Sequence, residues 1–396
     1  MNIKYTKIHL INFTINLHFY GAVTIPFFIG WANLSYSQMF FLESCFALSA
    51  LLMEIPSGII ANKIGAKNSA VFGLLLFSLA YTFLGIFKNF NIFVLAEIIC
   101  GIGTSFVSGC DQALLYEALA RDKKTDDKAI YFSRHHSYGL AGIVLSLPAG
   151  SLMLNFLPSS FPEVTKYTFI ITAAVNLFFT LIVATLTSQN TCKAIKKEKI
   201  NLKGFFTKNV LSPLILCYTI INATTYYIFW LYQPLLSKIY IGPKYYGVVA
   251  SIMNVICIFL LQYVRRNDYI NKFSPQLVMM SSSFLCGLFY LTLSASNSCS
   301  LILIGIFGVM AIRALCIPLI NSEINHSITE NRMIHLSQIG FIQKLSLLLI
   351  NPLIGMLTDV SISYCLALMG CISLFFTCSL IVPKAKVYKQ FILRKN

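Results

Sequence analysis

The sequence predicts an all-α membrane protein with twelve transmembrane helices, and three observations lead to this prediction. First, 57% of the 396 residues are apolar and only 11% are charged, whereas a soluble domain is about 45–50% apolar and about 25% charged. Second, apolar runs of the length that crosses a bilayer, about 20 residues, follow one another along the chain. Third, basic residues concentrate in alternate breaks between these runs. This composition excludes a soluble enzyme, a disordered chain and a disulfide-stapled secreted module.

Twelve apolar runs predict the twelve membrane spans in order. In the first half they lie near 10–30, 38–61, 69–87, 91–118, 136–157 and 166–187. In the second half they lie near 210–235, 246–264, 276–295, 299–322, 333–357 and 361–383. The longest basic break separates the sixth run from the seventh. We therefore expect an N-terminal six-helix bundle at 1–187, a basic cytoplasmic linker at 188–209, a C-terminal six-helix bundle at 210–383 and a basic cytoplasmic tail at 384–396.

The basic residues in the breaks predict the orientation of the chain. If the amino terminus is cytoplasmic, the cytoplasmic segments hold 24 Lys and Arg residues and the outer segments hold four. Cytoplasmic loops carry the excess of Lys and Arg in membrane proteins. We therefore expect a multi-pass protein of the plasma (inner) membrane with both termini in the cytoplasm. The formal charge of +16 follows from this topology, so no nucleic-acid partner is expected.

The two halves contain a related pattern around their fourth and fifth spans. Glu117 and Glu323 are 206 positions apart, and Pro148 and Pro352 are 204 apart. Both members of each pair occupy the same ordinal place in their halves. Parallel repeats of six spans are one of the repeat patterns of secondary transporters. The related pattern therefore predicts two six-helix pseudo-repeat bundles.

A motif lies at the end of the second span. Residues 54–67 read E-I-P-S-G-I-I-A-N-K-I-G-A-K. Gly58, Lys63, Gly65 and Lys67 fit the pattern G-x-x-x-D-R-x-G-R-K, and Asn62 replaces its acidic residue. This loop resembles that of the major facilitator superfamily, which implies a role in locking one transport conformation. Glycine permits close helix approach and a tight turn.

A second motif lies in the fourth span, where residues 108–117 read S-G-C-D-Q-A-L-L-Y-E. The string resembles S-G-x-D-x-A-L-L-Y-[DE], found in a mostly bacterial branch of the same superfamily. The resemblance implies two helical bundles around a central cavity lined by spans one, four, seven and ten. It also implies secondary active transport by alternating access.

Charged residues at membrane depth are the first site candidates, because burying a charge there costs at least about 2.5–3.5 kcal/mol. Asp111 and Arg313 fall at near-equivalent depth in spans four and ten, so we expect them to face each other across the substrate path; a structural ion pair is the alternative. Glu97 lies 14 residues before Asp111. In a continuous helix both carboxylates would share one face, roughly 21 Å apart, as a proton or cation path. Alternatively, Glu97 lies near the outer water interface.

Polar side chains supply further candidates, because a few polar groups in an apolar wall fix a bound small molecule. We expect Asn16, Gln112, Asn222 and Tyr226 to contribute to the substrate or ion site.

Other charged or titratable side chains are expected at the cytoplasmic side. Glu54 is expected to act in the lock in place of the acid missing at Asn62. Lys344 can pair with Glu54 or Glu323 at an inner gate. His135 and the adjacent His136 follow a basic loop residue and are expected to be solvated.

The sequence contains no nucleophile, nucleotide-binding or metal-binding motif, so we expect neither an enzyme nor a bound cofactor. The expected function is proton-coupled secondary transport of a small molecule by a monomer in the lipid bilayer, with Asp111, Glu97 and Glu54 as proton acceptors. Efflux of a hydrophobic or cationic compound is favoured over two alternatives. These are uptake of an anionic nutrient bound through Arg313, and a non-transporting membrane sensor on the same scaffold.

Overall fold

The computed structural model describes residues 3–123, 128–186, 213–266, 275–327 and 332–381. In these ranges every regular element is a helix. The expected linker at 188–209 and the expected tail at 384–396 lie outside the described residues. The bundle boundaries placed at these segments stay predictions.

Fourteen α-helices are described, numbered here in chain order. The first seven are α1 Ile3–Ile15, α2 Tyr36–Ile64, α3 Ala66–Ile86, α4 Phe90–Val107, α5 Cys110–Arg121, α6 Lys128–Met153 and α7 Lys166–Ala184. The others are α8 Pro213–Tyr226, α9 Ile228–Lys238, α10 Tyr246–Arg266, α11 Pro275–Ala295, α12 Cys299–Ser327, α13 Arg332–Val360 and α14 Ile362–Ile381.

Eight helical segments within the described ranges are long and apolar enough to cross a membrane. They are Tyr36–Ile64, Ala66–Ile86, Phe90–Arg121, Glu163–Ala184, Pro243–Val264, Leu277–Ala295, Cys299–Ile317 and Ile339–Val360. The chain is therefore an all-helical, multi-pass membrane protein.

Three of the predicted spans are interrupted. The first span consists of α1, a 3-10 turn at Phe19–Ala22 and a π-helical stretch at Pro26–Trp31. The seventh changes from α8 to α9 at Tyr227. The fourth changes from α4 to α5 at Ser108 and Gly109. Hydropathy reports only whether residues are apolar, so it could not locate these breaks.

The residues divide into two compact units, and the first comprises Met1–Thr207, Gln233–Val255 and Ser337–Asp359. Within it, α2 and α3 pack on α4, α3 also packs on α7, and α1 packs on α6. Small residues bring α2 and α4 together. The Ser57 hydroxyl donates to the Ser105 carbonyl at 3.0 Å, and the Ser105 hydroxyl donates to the Ala50 carbonyl at 2.8 Å. A Cβ on Gly101 would overlap the α2 backbone, so this contact requires glycine.

The second unit comprises Lys208–Tyr232, Ile256–Leu336 and Val360–Asn396. Here α11 packs against α12 and α14, and α12 packs against α8. The fully buried Tyr290 donates its hydroxyl to the Thr224 carbonyl at 2.5 Å, tying α11 to α8. The Ser283 hydroxyl donates to the Ser373 carbonyl at 2.7 Å and ties α11 to α14. The Tyr290 bond thus holds α8, the helix that carries the candidate residues of the seventh span.

Candidate functional site

The break in the first span is stabilised by one glutamine side chain. Gln233 is 2% exposed; its Oε1 accepts from the Ile25 N–H at 3.0 Å and its Nε2 donates to the Gly21 carbonyl at 2.9 Å. The His18 N–H donates to the Ser146 hydroxyl at 2.9 Å. Unpaired backbone groups are costly in a membrane, so these side chains replace the hydrogen bonds that the helix loses. Gln233 was not among the predicted site residues; an amide in an apolar helix was the available signal.

The break in the fourth span positions Asp111. Gly109 has φ of 76°, a left-handed conformation that favours glycine, and α5 begins directly after it. Asp111 is the second residue of α5, and its Oδ1 accepts from the Gln112 N–H at 2.8 Å. A carboxylate is stabilised at a helix amino terminus by the helix dipole and free N–H groups. The side chain of Gln112 is exposed. Only its position next to Asp111 supports it as a candidate site residue.

The second carboxylate oxygen of Asp111 faces a histidine. His135 Nε2 lies 2.8 Å from Asp111 Oδ2, and His135 Nδ1 lies 3.2 Å from His9 Nδ1. Asp111, His135 and His9 are 9%, 4% and 2% exposed. The expectation that His135 is solvated is wrong. His135 lies near the start of α6, but its side chain points into the unit. His136 is exposed, as expected.

Asn16 lies close to this cluster. Its Nδ2 donates to the Asn12 carbonyl at 2.7 Å and to Asn12 Oδ1 at 3.0 Å, while Asn12 Nδ2 donates to the His135 carbonyl at 2.8 Å. His9 and Asn12 therefore lie on one face of α1, Asn16 directly follows this helix, and all three meet α6. Their spacing of three and four residues, typical of one helix face, was the signal that could have revealed His9.

Glu97 is buried in a different environment. It is 9% exposed and interacts electrostatically with the half-buried Glu43 on α2. The Tyr20 and Tyr81 hydroxyls, 3.3 Å apart, are close to these carboxyls. One expectation is corrected. Glu97 shares no continuous helix face with Asp111, because Ser108 and Gly109 lie between them outside both helices. Its position near the outer water interface stays a prediction.

Arg313 lies in the second unit, half-buried on α12. Its Nη1 donates to the Asn222 carbonyl at 3.2 Å and to the Thr225 hydroxyl at 3.4 Å. Neither acceptor carries a charge, and no carboxylate among the described residues forms an ion pair with it. Tyr226, next to Thr225, is half-buried with its ring 5.4 Å from that of Tyr227. The expected pairing of Arg313 with Asp111 stays a prediction.

The motif after the second span forms a tight turn. Gly65 has φ of 87° and joins α2 directly to α3, as its glycine was expected to allow. A Cβ at Gly58 would meet nothing within 4 Å in the described part of the chain, so the close helix approach expected there is absent from these residues. Asn62 and Lys63 are exposed, and Lys67 is half-buried. The locking role of the motif stays a prediction.

Glu54 has a charged partner. Lys344 Nζ donates to Glu54 Oε2 at 2.7 Å, with side chains 33% and 45% exposed. The sequence left two possible partners for Lys344, which are Glu54 and Glu323. The structure shows the pair with Glu54, whereas the side chain of Glu323 lies outside the described residues.

The comparisons with known proteins identify the family. The sequence model of the Major Facilitator Superfamily matches residues 10–343. This chain belongs to the major facilitator superfamily. Membership places it among membrane transporters and not among enzymes, and it implies a small-molecule substrate.

Solved structures show the same fold. A variant of the nucleoside transporter NupG has a TM-score of 0.82 at 12% identity, covering 96% of this chain and 99% of that one. A bacterial homologue of the human lysosomal transporter Spinster, in an inward-facing state, has a TM-score of 0.72 at 14% identity, with coverages of 96% and 95%. A D-xylose–proton symporter has a TM-score of 0.71 at 14% identity, with coverages of 97% and 98%.

A curated relative matches over a shorter stretch. Multidrug resistance protein 2 of Bacillus subtilis (strain 168) is 29% identical over 133 residues, which is 33% of this chain. The matched stretch spans only 32% of that protein's length.

Proposed function

We propose that this chain is a proton-coupled secondary transporter that exports a small hydrophobic or cationic molecule by alternating access. The observation that carries the proposal is Asp111, a buried carboxylate held at a break in a membrane helix and hydrogen-bonded to a histidine. Broken helices form substrate and ion sites in many secondary transporters. Ionisable residues within membrane segments mark substrate and proton paths.

The proposed architecture has twelve spans in two six-helix bundles, with both termini at the cytoplasmic face of the plasma membrane. Eight spans meet the criterion of length and apolarity among the described residues. The broken first and seventh spans, together with α6 and α14, would complete the twelve. The excess of Lys and Arg in alternate breaks supports the orientation.

Proton coupling is supported by the nature of the groups around Asp111. A carboxylate bound to a histidine can exchange a proton without a metal or cofactor, and both side chains are buried. Glu97, close to Glu43, is a second buried proton acceptor that fits the same proposal. We propose that Gln112, Asn16, Asn222 and Tyr226 contribute polar contacts along the substrate path.

Export of a cationic molecule is supported by two observations, one on the charge of the substrate and one on the direction. A buried acid attracts a cation, and the partial relative in Bacillus subtilis is named for multidrug resistance.

The test uses the purified protein in liposomes, a pH gradient and ethidium as the probe. The wild type is expected to move ethidium against its gradient, and Asp111→Asn is expected to reduce this flux to background because the amide takes up no proton. His136→Gln is the control, since this exposed side chain lies outside the proposed site and its exchange keeps Asp111. Unchanged gradient-driven flux in Asp111→Asn would contradict proton coupling through this residue.

A second candidate function is uptake of an anionic nutrient, and the neutral surroundings of Arg313 favour it. A guanidinium that the described residues bind only through a carbonyl and a hydroxyl retains its charge for a carboxylate or phosphate. Radiolabelled glutamate and glucose 6-phosphate serve as probes. Accumulation that is lost in Arg313→Gln supports uptake, and wild-type protein that accumulates neither probe contradicts it for these anions.

A sensor without transport activity predicts another outcome. It would show no saturable flux and no alternation of thiol accessibility between the two membrane faces. Single cysteines placed near Asp111 and labelled from each side would distinguish it from a transporter.

A further inference from the structure

Three titratable side chains from three helices form a continuous chain within the first unit. His9 on α1, His135 on α6 and Asp111 on α5 are joined by contacts of 3.2 Å and 2.8 Å. All three are at least nine-tenths buried. We call this set the histidine chain.

When Asp111 is ionised and both histidines are neutral, hydrogen bonding fixes where the protons of the histidine chain lie. An ionised carboxylate only accepts, so His135 Nε2 carries a proton and donates it to Asp111. Neutral His135 then has an unprotonated Nδ1, which must accept from the Nδ1–H of His9. Neutral His9 is left with an unprotonated Nε2. The chain therefore begins with an acceptor and ends with a carboxylate, and every bond points toward Asp111.

The histidine chain lies toward one end of its unit. His9 is six residues from the start of α1, Asp111 ten from the end of α5 and His135 seven from the start of α6. At 1.5 Å per residue these distances are roughly 9, 15 and 10 Å along the helices. The three helix ends belong to segments that we expect to be cytoplasmic. His9 is thus nearer to that end than Asp111, as a proton-entry residue must be.

Few other titratable groups face His9. From α6 these are Arg134, which interacts with it electrostatically, and Tyr138, whose ring centroid is 5.1 Å away. Tyr5, one turn earlier on α1, donates its hydroxyl to Asp122 at 2.6 Å. Within the described residues no carboxylate contacts His9, so a proton that binds there is not trapped by a neighbouring negative charge.

We propose that the histidine chain is a proton relay between Asp111 and the side of the membrane that holds the start of α1. One proton binds Nε2 of His9, the Nδ1 proton of His9 passes to Nδ1 of His135, and the Nε2 proton of His135 passes to Oδ2 of Asp111. One proton enters and one carboxylate is neutralised, while both histidines end neutral with exchanged tautomers. The reverse sequence releases the proton to the same side. The relay rests on the proposed proton-coupled transport and names the route by which Asp111 is protonated.

The variant His9→Gln separates a relay from a structural cluster. A glutamine amide can still donate to His135 Nδ1, but it cannot accept a proton and pass another on. The control is His136→Gln, which changes the adjacent, exposed histidine of α6; this side chain makes no hydrogen bond within the described residues. Both variants are made in the full chain and reconstituted in liposomes.

Two fluxes of ethidium are measured, one driven by a pH gradient and one by equilibrium exchange at equal pH. His9→Gln is expected to lower the gradient-driven rate by about a hundredfold, the scale on which a positioned proton-transfer group acts, and to leave exchange unchanged. His136→Gln should leave both unchanged. Gradient-driven flux that survives in His9→Gln overturns the relay alone. Wild-type protein that moves no ethidium in either assay contradicts the proposed export instead.

A second measurement needs no transported solute. After a jump from neutral to acidic buffer, time-resolved infrared spectra follow the protonated carboxyl band that is absent from Asp111→Asn. The relay predicts that this band rises about a hundredfold more slowly in His9→Gln than in the wild type, and equal rates overturn it. If His9→Gln does not fold, ¹⁵N-histidine-labelled wild type decides: the relay requires scalar coupling between two Nδ1 atoms across their hydrogen bond, and its absence overturns the relay.

Discussion

The surroundings of Asp111 and those of Arg313 differ in one respect that matters for function. Asp111 has a titratable partner, His135, and a backbone N–H from the first turn of its own helix. Arg313 has only a carbonyl and a hydroxyl in the described part of its unit. The acid can therefore exchange a proton with its neighbour, whereas the base keeps a charge that its described neighbours do not neutralise.

From this difference we propose that the first unit carries the proton-binding group and the second unit carries a permanent positive charge. Charge in a low-dielectric site is stable only when it is paired or solvated. A carboxylate next to a histidine can lose its charge by protonation, so its state can follow the pH. A guanidinium does not deprotonate in proteins, so we propose that an anionic substrate group balances its charge during uptake. The following predictions test each side of this contrast.

The largest effect is expected at Gln233. It tests whether this side chain is needed to satisfy the free backbone groups at the break in the first span. Gln233→Leu leaves the Ile25 N–H and the Gly21 carbonyl without their partner. Each unsatisfied buried group costs about 1–3 kcal/mol, so we expect a loss of about 2–6 kcal/mol in the free energy of unfolding, seen as a lower melting temperature in detergent. Gln112→Leu is the matched control, because its side chain is exposed. Equal melting temperatures would show that the break needs no support from Gln233.

The next effect concerns the Asp111–His135 bond. A hydrogen bond to a charged group is worth about 1.5–3 kcal/mol, so Asp111→Asn and His135→Gln should each lower stability by about that amount. The double variant should lose no more than either single one, because both remove the same bond. Thermal unfolding of the four proteins completes the cycle, with His136→Gln as control. Fully additive losses would mean that the two side chains act independently, and the contrast with Arg313 would disappear.

The continuous helices could be predicted closely from the sequence. The second and third spans, expected near 38–61 and 69–87, are the helices Tyr36–Ile64 and Ala66–Ile86. Unbroken apolar runs determine such helices, because a membrane requires every backbone group to be bonded internally. The position of Gly65 in the turn between them also followed from its motif.

The breaks and their partners could not be predicted in the same way. The interrupted fourth span is as apolar as the continuous spans, so hydropathy does not reveal its break. His9 and His135 are 126 positions apart in the sequence, and Gln233 is 208 from Ile25. Only the packing of distant helices makes them neighbours. Asp111 could be predicted because a charged residue within an apolar run stands out in the local sequence. Its partner His135 follows a basic loop, so the local sequence made it resemble a loop residue.

A smaller effect is expected at Arg313 and tests the second side of the contrast. Anionic solutes that raise the melting temperature of the wild type should bind about 10- to 100-fold more weakly to Arg313→Gln, since one charge-assisted hydrogen bond of about 1.5–3 kcal/mol is lost. Arg313→Lys keeps the charge and should retain part of the shift. A thermal-shift screen measures this, because only ligands of the folded state raise its melting point. Equal shifts in Arg313→Gln and the wild type would assign Arg313 a structural role.

The smallest effect is expected at the Glu54–Lys344 pair, where both charges are present but partly exposed, at 45% and 33% of their side chains. Exposed ion pairs contribute about 0–1 kcal/mol, and salt screens them. Glu54→Gln should therefore change the melting temperature little, and still less in high salt, although the contact is as short as that of Asp111 with His135. The charge swap Glu54→Lys with Lys344→Glu is the control. A loss as large as that of Asp111→Asn would mean that the length of a contact, and not its burial, sets its strength here, and the division between a buried proton site and an exposed lock would fail.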